Sequence, residues 1–198
     1  HYPKLIEQVK NLKGFEYQRF CMALQLMLWG YFKKLVIADR IAVFVNQVFN
    51  HIGYYRGLVF VLALMASAVQ LYADFSGCMD IVEGVAELFG ITLDKNFDVP
   101  FSSKSTAEFW RRWHITLGAW FKDYVFFPMS TASWNIKISR FFKQKFGTRA
   151  GKTVTSIIPL TVVWLLTGIW HGTGLNYVLW GCYYGGIIIF SSIFQPEL

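Results

Sequence analysis

Two of the four histidines stand where an imidazole would handle a proton rather than water. His171 closes the apolar, uncharged run VVWLLTGIWHG, so it falls at or near membrane depth if that run crosses a bilayer. An ionisable side chain there is costly, and its default reading is functional. The plainer alternative is a ring that gives one hydrogen bond to a neighbouring helix. His114 sits in FWRRWHITLGAW (Phe109–Trp120), among two arginines and three tryptophans. There the plainer alternative is an interfacial histidine facing lipid headgroups. An imidazole exchanges a proton near neutral pH, which suits it to deprotonate a hydroxyl that attacks an acyl carbonyl.

A third cluster, YADFSGCMDIVEG, carries Asp74, Ser76, Asp80 and Glu83. Asp80 shares a helix face with Ser76 and with Glu83. Paired carboxylates either divide acid and base roles or form a proton or cation path in a membrane. Their structural alternative is to cap and link helices, which is the reading preferred for Glu83. Asp123 cannot orient His114 across a straight helix, because nine residues turn through about 900° and leave the two on opposite faces. It is expected to pair with a nearby lysine or arginine. Other chemistries lack their residues. There is no GxSxG elbow, GxxxxGK[ST] loop or HExxH. An HxxxxD pair also fails, since Ala119 and Asn176 stand five residues after His114 and His171. Cys21, Cys78 and Cys182 are too scattered for a disulfide framework or a zinc site, so no metal is expected.

The elements that must position these residues read as membrane helices. Of 198 residues, 55% are hydrophobic and 19% aromatic, and only 16% are charged, where soluble domains carry about 25%. Leu58–Tyr72, Val154–Trp170 and Leu175–Phe194 approach the ~20 apolar residues that span a bilayer, the first with room to continue through Asp74. Phe20–Phe32 and Ile37–Phe49 flank KKLVIADR and read as two helices meeting at an interface, or one leaving the membrane. Unpaired backbone groups are not tolerated in lipid, so these segments are expected to be helical. Residues between Gly90 and Lys104 read as a polar loop, and STAE (Ser105–Glu108) as a capping box opening a helix. In that helix Trp110, Trp113, Leu117, Trp120 and Tyr124 would form one aromatic stripe.

The net charge is +7. Residues 131–153 hold Lys137, Arg140, Lys143, Lys145, Arg149 and Lys152 with no acidic residue. Trp134, Ile138, Phe141 and Phe142 oppose Lys137, Arg140 and Gln144 there, the pattern of an interfacial amphipathic helix on the cytoplasmic side. Among apolar segments, membrane contact is the stronger reading of this basic stretch, and no nucleic-acid partner is expected. His1 is not Met and the chain stops at QPEL, so both ends read as cut. Residues 1–198 are expected to be a single partial membrane domain.

FWRRWHITLGAWFKDYVFFP followed by GIWHG resembles the bacterial branch of the membrane-bound O-acyltransferases (MBOAT). That branch includes alginate O-acetylation proteins and the D-alanyl transfer protein of teichoic acids. YFKKLVIADRIA, QLYADFSGCMDI and KNFDVPFSSKSTAEFW resemble it in the same order, from about Trp29 to about Gly186. The resemblance implies an all-α, multi-pass transmembrane bundle around a tunnel that donor and hydroxyl acceptor enter from opposite sides. It places the family's two characteristic positions on His171, as base, and His114, which would position substrate or stabilise charge on the carbonyl. Arg111, Arg112, Trp113, Trp110, Asp74 and Asp80 are the implied substrate-binding residues. The implied donor is acyl-CoA or an acylated carrier, with no bound cofactor.

The resemblance further implies a bacterial plasma-membrane enzyme moving an acetyl group towards hydroxyls of an exported or cell-surface polysaccharide, directly or through a periplasmic or extracellular acyltransferase partner. Arg111 and Pro128 look more like the polysaccharide acetylation proteins than the D-alanyl branch. PMSTASWN departs from the alginate type, which favours a different cell-wall or secreted polysaccharide. Three alternatives stand beside this: D-alanyl transfer to teichoic acid, a transporter relaying protons through Asp74, Asp80, His114 and His171, and a scaffold that recruits a soluble acetyltransferase.

Overall fold

The computed structural model describes residues 2–194; His1 and the QPEL end lie outside the described residues. The chain forms two compact units, His1–Asp94 and Lys95–Leu198. Both are helical, and the described residues contain no strand, only an isolated antiparallel bridge between Phe97 and Trp113.

The first unit holds α1 (Tyr2–Lys10), α2 (Tyr17–Asn50) and α3 (Leu58–Leu88). The expected pair Phe20–Phe32 and Ile37–Phe49 is one continuous helix, joined by a π-helical stretch at Phe32–Ala38. Within KKLVIADR, which continues the helix, Lys33, Lys34 and Asp39 find partners. Lys34 Nζ meets Asp39 at 3.0 Å and Asp74 of α3 at 2.8 Å. Lys33 Nζ meets Asp80 at 2.6 Å and donates to Ser76 Oγ at 3.1 Å. The helices approach closely because small residues line the seam: a Cβ on Gly30 would lie 2.6 Å from the Gly77 carbonyl oxygen, and one on Gly84 2.8 Å from that of Ala23. Close backbone approach over small residues is how helices associate where lipid removes the hydrophobic drive.

The second unit opens with a loop, followed by α4 (Thr106–Arg112), α5 (residues 115–131), α6 (Ser133–Phe146), α7 (Thr148–His171) and α8 (Leu175–Phe194). The amphipathic reading of residues 134–144 corresponds to α6, whose Trp134, Ile138 and Phe141 remain exposed. A third face of α6 packs on α7. Buried Asn135 donates to the carbonyls of Met129 and Thr155 at 3.2 and 3.1 Å, and Ser139 to that of Gly151 at 2.9 Å. α7 and α8 form an antiparallel hairpin in which Gly181 and Gly185 lie against Trp164.

Four helices are long and apolar enough to cross a membrane: Tyr17–Asn50, Leu58–Leu88, Thr148–His171 and Leu175–Phe194. Their outer surfaces are apolar, with Leu28, Met65 and Phe190 exposed by 68%, 65% and 63%. Apolar exposure on that scale marks a surface that meets lipid.

Candidate active site

The helix that carries the aromatic stripe does not run straight through, as the spacing predicts; it breaks at His114. α4 starts as expected, with Ser105 Oγ accepting from the Glu108 backbone N–H at 3.1 Å. The reciprocal arm is displaced by one residue, the Glu108 carboxylate accepting from the Lys104 N–H at 2.8 Å. That bond, seconded by Arg112, holds the Glu108 carboxyl below the usual carboxylate range. α4 ends because another segment takes its backbone bonds. The Ile115 N–H donates to the Asn96 carbonyl at 2.9 Å, and the Arg112 carbonyl accepts from the Asp98 N–H at 3.0 Å. Between them His114 adopts a left-handed backbone, φ 47° and ψ 52°. Such a conformation in a residue with a Cβ costs of order 1–3 kcal/mol and marks functional sites when the surroundings enforce it.

The break turns the His114 ring into a cavity of about 330 Å³, which His171 also lines. The walls are chiefly apolar, among them Trp110, Trp113, Phe121 and Trp164, with Lys122 and Thr167 as polar members. Val163, Thr167 and His171 follow each other at four-residue steps and so occupy one face of α7. The Trp170 ring lies 5.9 Å from His114 and 4.7 Å from His171, whose other side meets Trp180 at 5.0 Å. Trp110 buttresses this wall edge-on, 5.1 Å from Trp164, 5.6 Å from Trp180 and 5.1 Å from Tyr184. Burial, and then the positive charge of His171, push the His114 imidazole below its ordinary pKa. It is therefore neutral, and able to accept a proton, at pH values where a free histidine is already charged. A cavity of this size, apolar with a few convergent polar groups, is the usual form of a small-molecule site.

The expected site residues separate into three groups. His114, His171, Trp110 and Trp113 line the cavity. Arg112 is occupied elsewhere: it pairs with Glu108 at 2.8 Å and donates to the Asp98 carbonyl at 3.3 Å, tying α4 to the loop before it, while Arg111 is exposed and outside the cavity lining. Asp74 and Asp80 belong to the first unit, where Lys34 and Lys33 hold them. Asn96 carries no role in the sequence reading, although it lies within the KNFDVPF motif. It is 4% exposed, and its Oδ1 accepts from Thr116 Oγ1 at 2.6 Å and from His114 Nδ1 at 2.9 Å. Lys122 and Trp164 were also without a role; the step of seven residues from Trp164 to His171 on one helix was the signal for the latter.

Comparison with known families matches residues 4–196 to the MBOAT, membrane-bound O-acyltransferase family. The chain belongs to this family. Among curated relatives it is 35% identical over 156 residues to a "Probable alginate O-acetylase" of Pseudomonas fluorescens, covering 79% of this chain and 28% of that protein. It is 33% identical over 190 residues to the "Peptidoglycan O-acetyltransferase" of Helicobacter pylori, covering 93% and 32%. To the "Teichoic acid D-alanyltransferase" of Bacillus subtilis it is 29% identical over 166 residues, covering 84% and 40%. The chain thus spans between a quarter and two fifths of the length of these family members.

Proposed function

We propose that this chain carries the reaction centre of an O-acyltransferase of the bacterial plasma membrane. The reaction moves an acetyl group from a thioester, acyl-CoA or an acylated carrier, towards hydroxyls of an exported or cell-surface polysaccharide. The observation that carries the reading is the pair of imidazoles, His114 and His171, on one apolar cavity in a chain of this family. A hydroxyl must lose its proton as it attacks a carbonyl, and an imidazole held neutral in an apolar site is suited to take it. Trp110 and Trp113 form the wall against which the acyl chain rests, and the family match runs without interruption through both units, which supports reading them as parts of one domain. The acceptor class this reading takes is a cell-wall or secreted polysaccharide, since relatives named for peptidoglycan and for alginate align with 93% and 91% of the chain. A periplasmic or extracellular partner enzyme completes the transfer where the acceptor lies beyond the membrane.

The engagement of Asp74 and Asp80 by lysines supports an enzyme over a proton relay, because paired carboxylates are not at hand to carry a mobile charge. The test is release of ester-linked acyl groups by mild base from purified glycans of cells that lack the protein. These are complemented with wild type, His171→Ala or His114→Ala. Wild type should restore acetate, and each variant should lower it by 10²-fold or more at equal membrane level. Released D-alanine would move the assignment to teichoic acid. Unchanged esters in every strain would leave transport or scaffolding as the function.

A further inference from the structure

We infer that Lys122 recognises a phosphate on the acyl donor, holding one end of a phosphopantetheine arm while the thioester at its other end reaches the two histidines. The inference rests on the acyl-transfer reading above and names the part of the donor that the cavity selects. α5 runs antiparallel to α7. It leaves His114, whose ring lies 5.9 Å from Trp170 near the end of α7. It reaches Met129, whose carbonyl shares the Asn135 amide with that of Thr155 near the start of α7. The cavity between them is therefore elongated. Its α7 wall runs from Leu160 to His171, a rise of about 16 Å. The histidines stand at one end, and Lys122 and Phe126 towards the other.

Lys122 is the one lysine or arginine on the lining, and no acidic residue joins it there. Its ammonium lies over the Phe127 ring at 5.4 Å, and no described residue offers it a carboxylate. Lys33 and Lys34, by contrast, each meet an aspartate. A cation left without a counter-charge beside a membrane-length helix is costly, and its default reading is a binding site. The π-helical stretch Lys122–Phe126 starts at the same residue, and such stretches collect at functional sites. The chiefly apolar walls between Lys122 and the histidines call for a donor that is slender and uncharged along that length. A phosphopantetheine arm has this form. About thirteen bonds separate its sulfur from its phosphorus, roughly 15 Å at the advance per bond of an extended peptide chain. With the sulfur at His171, the phosphate comes to Lys122. Thr167 lies between them; its hydroxyl donates to the Val163 carbonyl at 2.7 Å, so its oxygen is left to accept from an amide N–H of the arm.

The test uses the full-length protein in lipid nanodiscs and two donors that differ only in the phosphate, S-acetyl-phosphopantetheine and S-acetyl-pantetheine. In wild type, kcat/KM should be about tenfold higher or more for the phosphorylated donor, the effect of one hydrogen bond to a charged group. Lys122→Gln should bring that ratio close to one, Lys122→Glu should invert it, and Lys122→Arg should keep it. Lys137→Gln removes an exposed cation outside the cavity and should leave the ratio as in wild type, which separates contact from general attraction. Acetyl-CoA is the third donor. Lys122-dependent transfer from it assigns the arm to the free coenzyme, and its failure beside active S-acetyl-phosphopantetheine assigns a carrier; either keeps the inference. The second readout needs no chemistry: the Kd, by calorimetry, of the S-ethyl thioethers of the same two arms. Phosphate-dependent binding that Lys122→Gln abolishes, in a protein that transfers no acyl group, keeps the subsite and removes the acyl-transfer reading. Equal kcat/KM for the two donors in an active wild type overturns the inference, and so does a ratio that Lys122→Gln leaves in place. The first of these is the result expected if a lipid headgroup holds the ammonium instead. No phosphate dependence in either readout overturns it as well.

Discussion

Lys33 shows what an ionisable side chain requires inside a membrane-length helix. Its ammonium reaches Asp80 and Ser76 together, and the side chains of Lys33 and Asp80 are only 13% and 18% exposed. Removing one partner of a buried pair costs about 3–5 kcal/mol because the other charge is left alone. With this residual exposure the penalty should be nearer 2 kcal/mol. Asp80→Ala should therefore lower the melting temperature in detergent by several degrees. Lys33→Met combined with Asp80→Leu should recover most of the loss, since no charge is then stranded. Single and double variants that simply add would show the pair is not coupled. The sequence signals reach this scale unevenly. His171 was legible because an ionisable group in an apolar run stands out, and Ser76 and Asp80 because a four-residue step puts them on one face. Lys33 and Asn96 were not, since their partners lie 43 and 18 residues away, and no local pattern encodes a pairing across that distance.

At the scale of elements, hydropathy located α3, α7 and α8 because a membrane helix must satisfy its own backbone and present apolar side chains all round. The break between α4 and α5 was hidden for the converse reason. Trp110, Trp113, Leu117 and Trp120 fit a straight helix as well as a broken one, and what decides is competition for the Ile115 N–H by the Asn96 carbonyl. Packing of α7 on α8 gives a sharper test. A Cβ on Gly181 would stand 2.5 Å from the Trp164 carbonyl oxygen, and backbone cannot rotate away as a side chain can. Gly186, on the same helix, meets nothing within 4 Å. Gly181→Val should force the hairpin apart, displace the Trp164 wall of the cavity and cost at least about 1–3 kcal/mol, with loss of the proposed acyl transfer. Gly186→Val should change neither. Melting curves of the two variants in detergent decide it, and equal behaviour would disprove the packing assigned to this face.

At the scale of the whole molecule, charge and helix length together orient the second unit. The basic residues 131–153 run into the start of α7, and His171 is its last residue. At about 1.5 Å per residue that helix rises about 36 Å, more than the ~30 Å hydrocarbon core. A short basic stretch between membrane helices stays on the cytoplasmic side, so the turn after His171 should face outward. Under the proposed acyl transfer, a thioester made in the cytoplasm and a hydroxyl on an exported glycan would then approach the cavity from opposite ends. Exposed Gln144 and Thr173 mark the two sides. Each can be replaced by cysteine in a background where Cys21, Cys78 and Cys182 are serine. A membrane-impermeant maleimide should label Thr173→Cys in intact spheroplasts and Gln144→Cys only after permeabilisation. Labelling of both from outside would mean that α7 does not cross. The reverse pattern would keep the crossing but invert it, placing the His171 end on the side where the thioester is made and requiring the acceptor to cross the membrane before it is acylated.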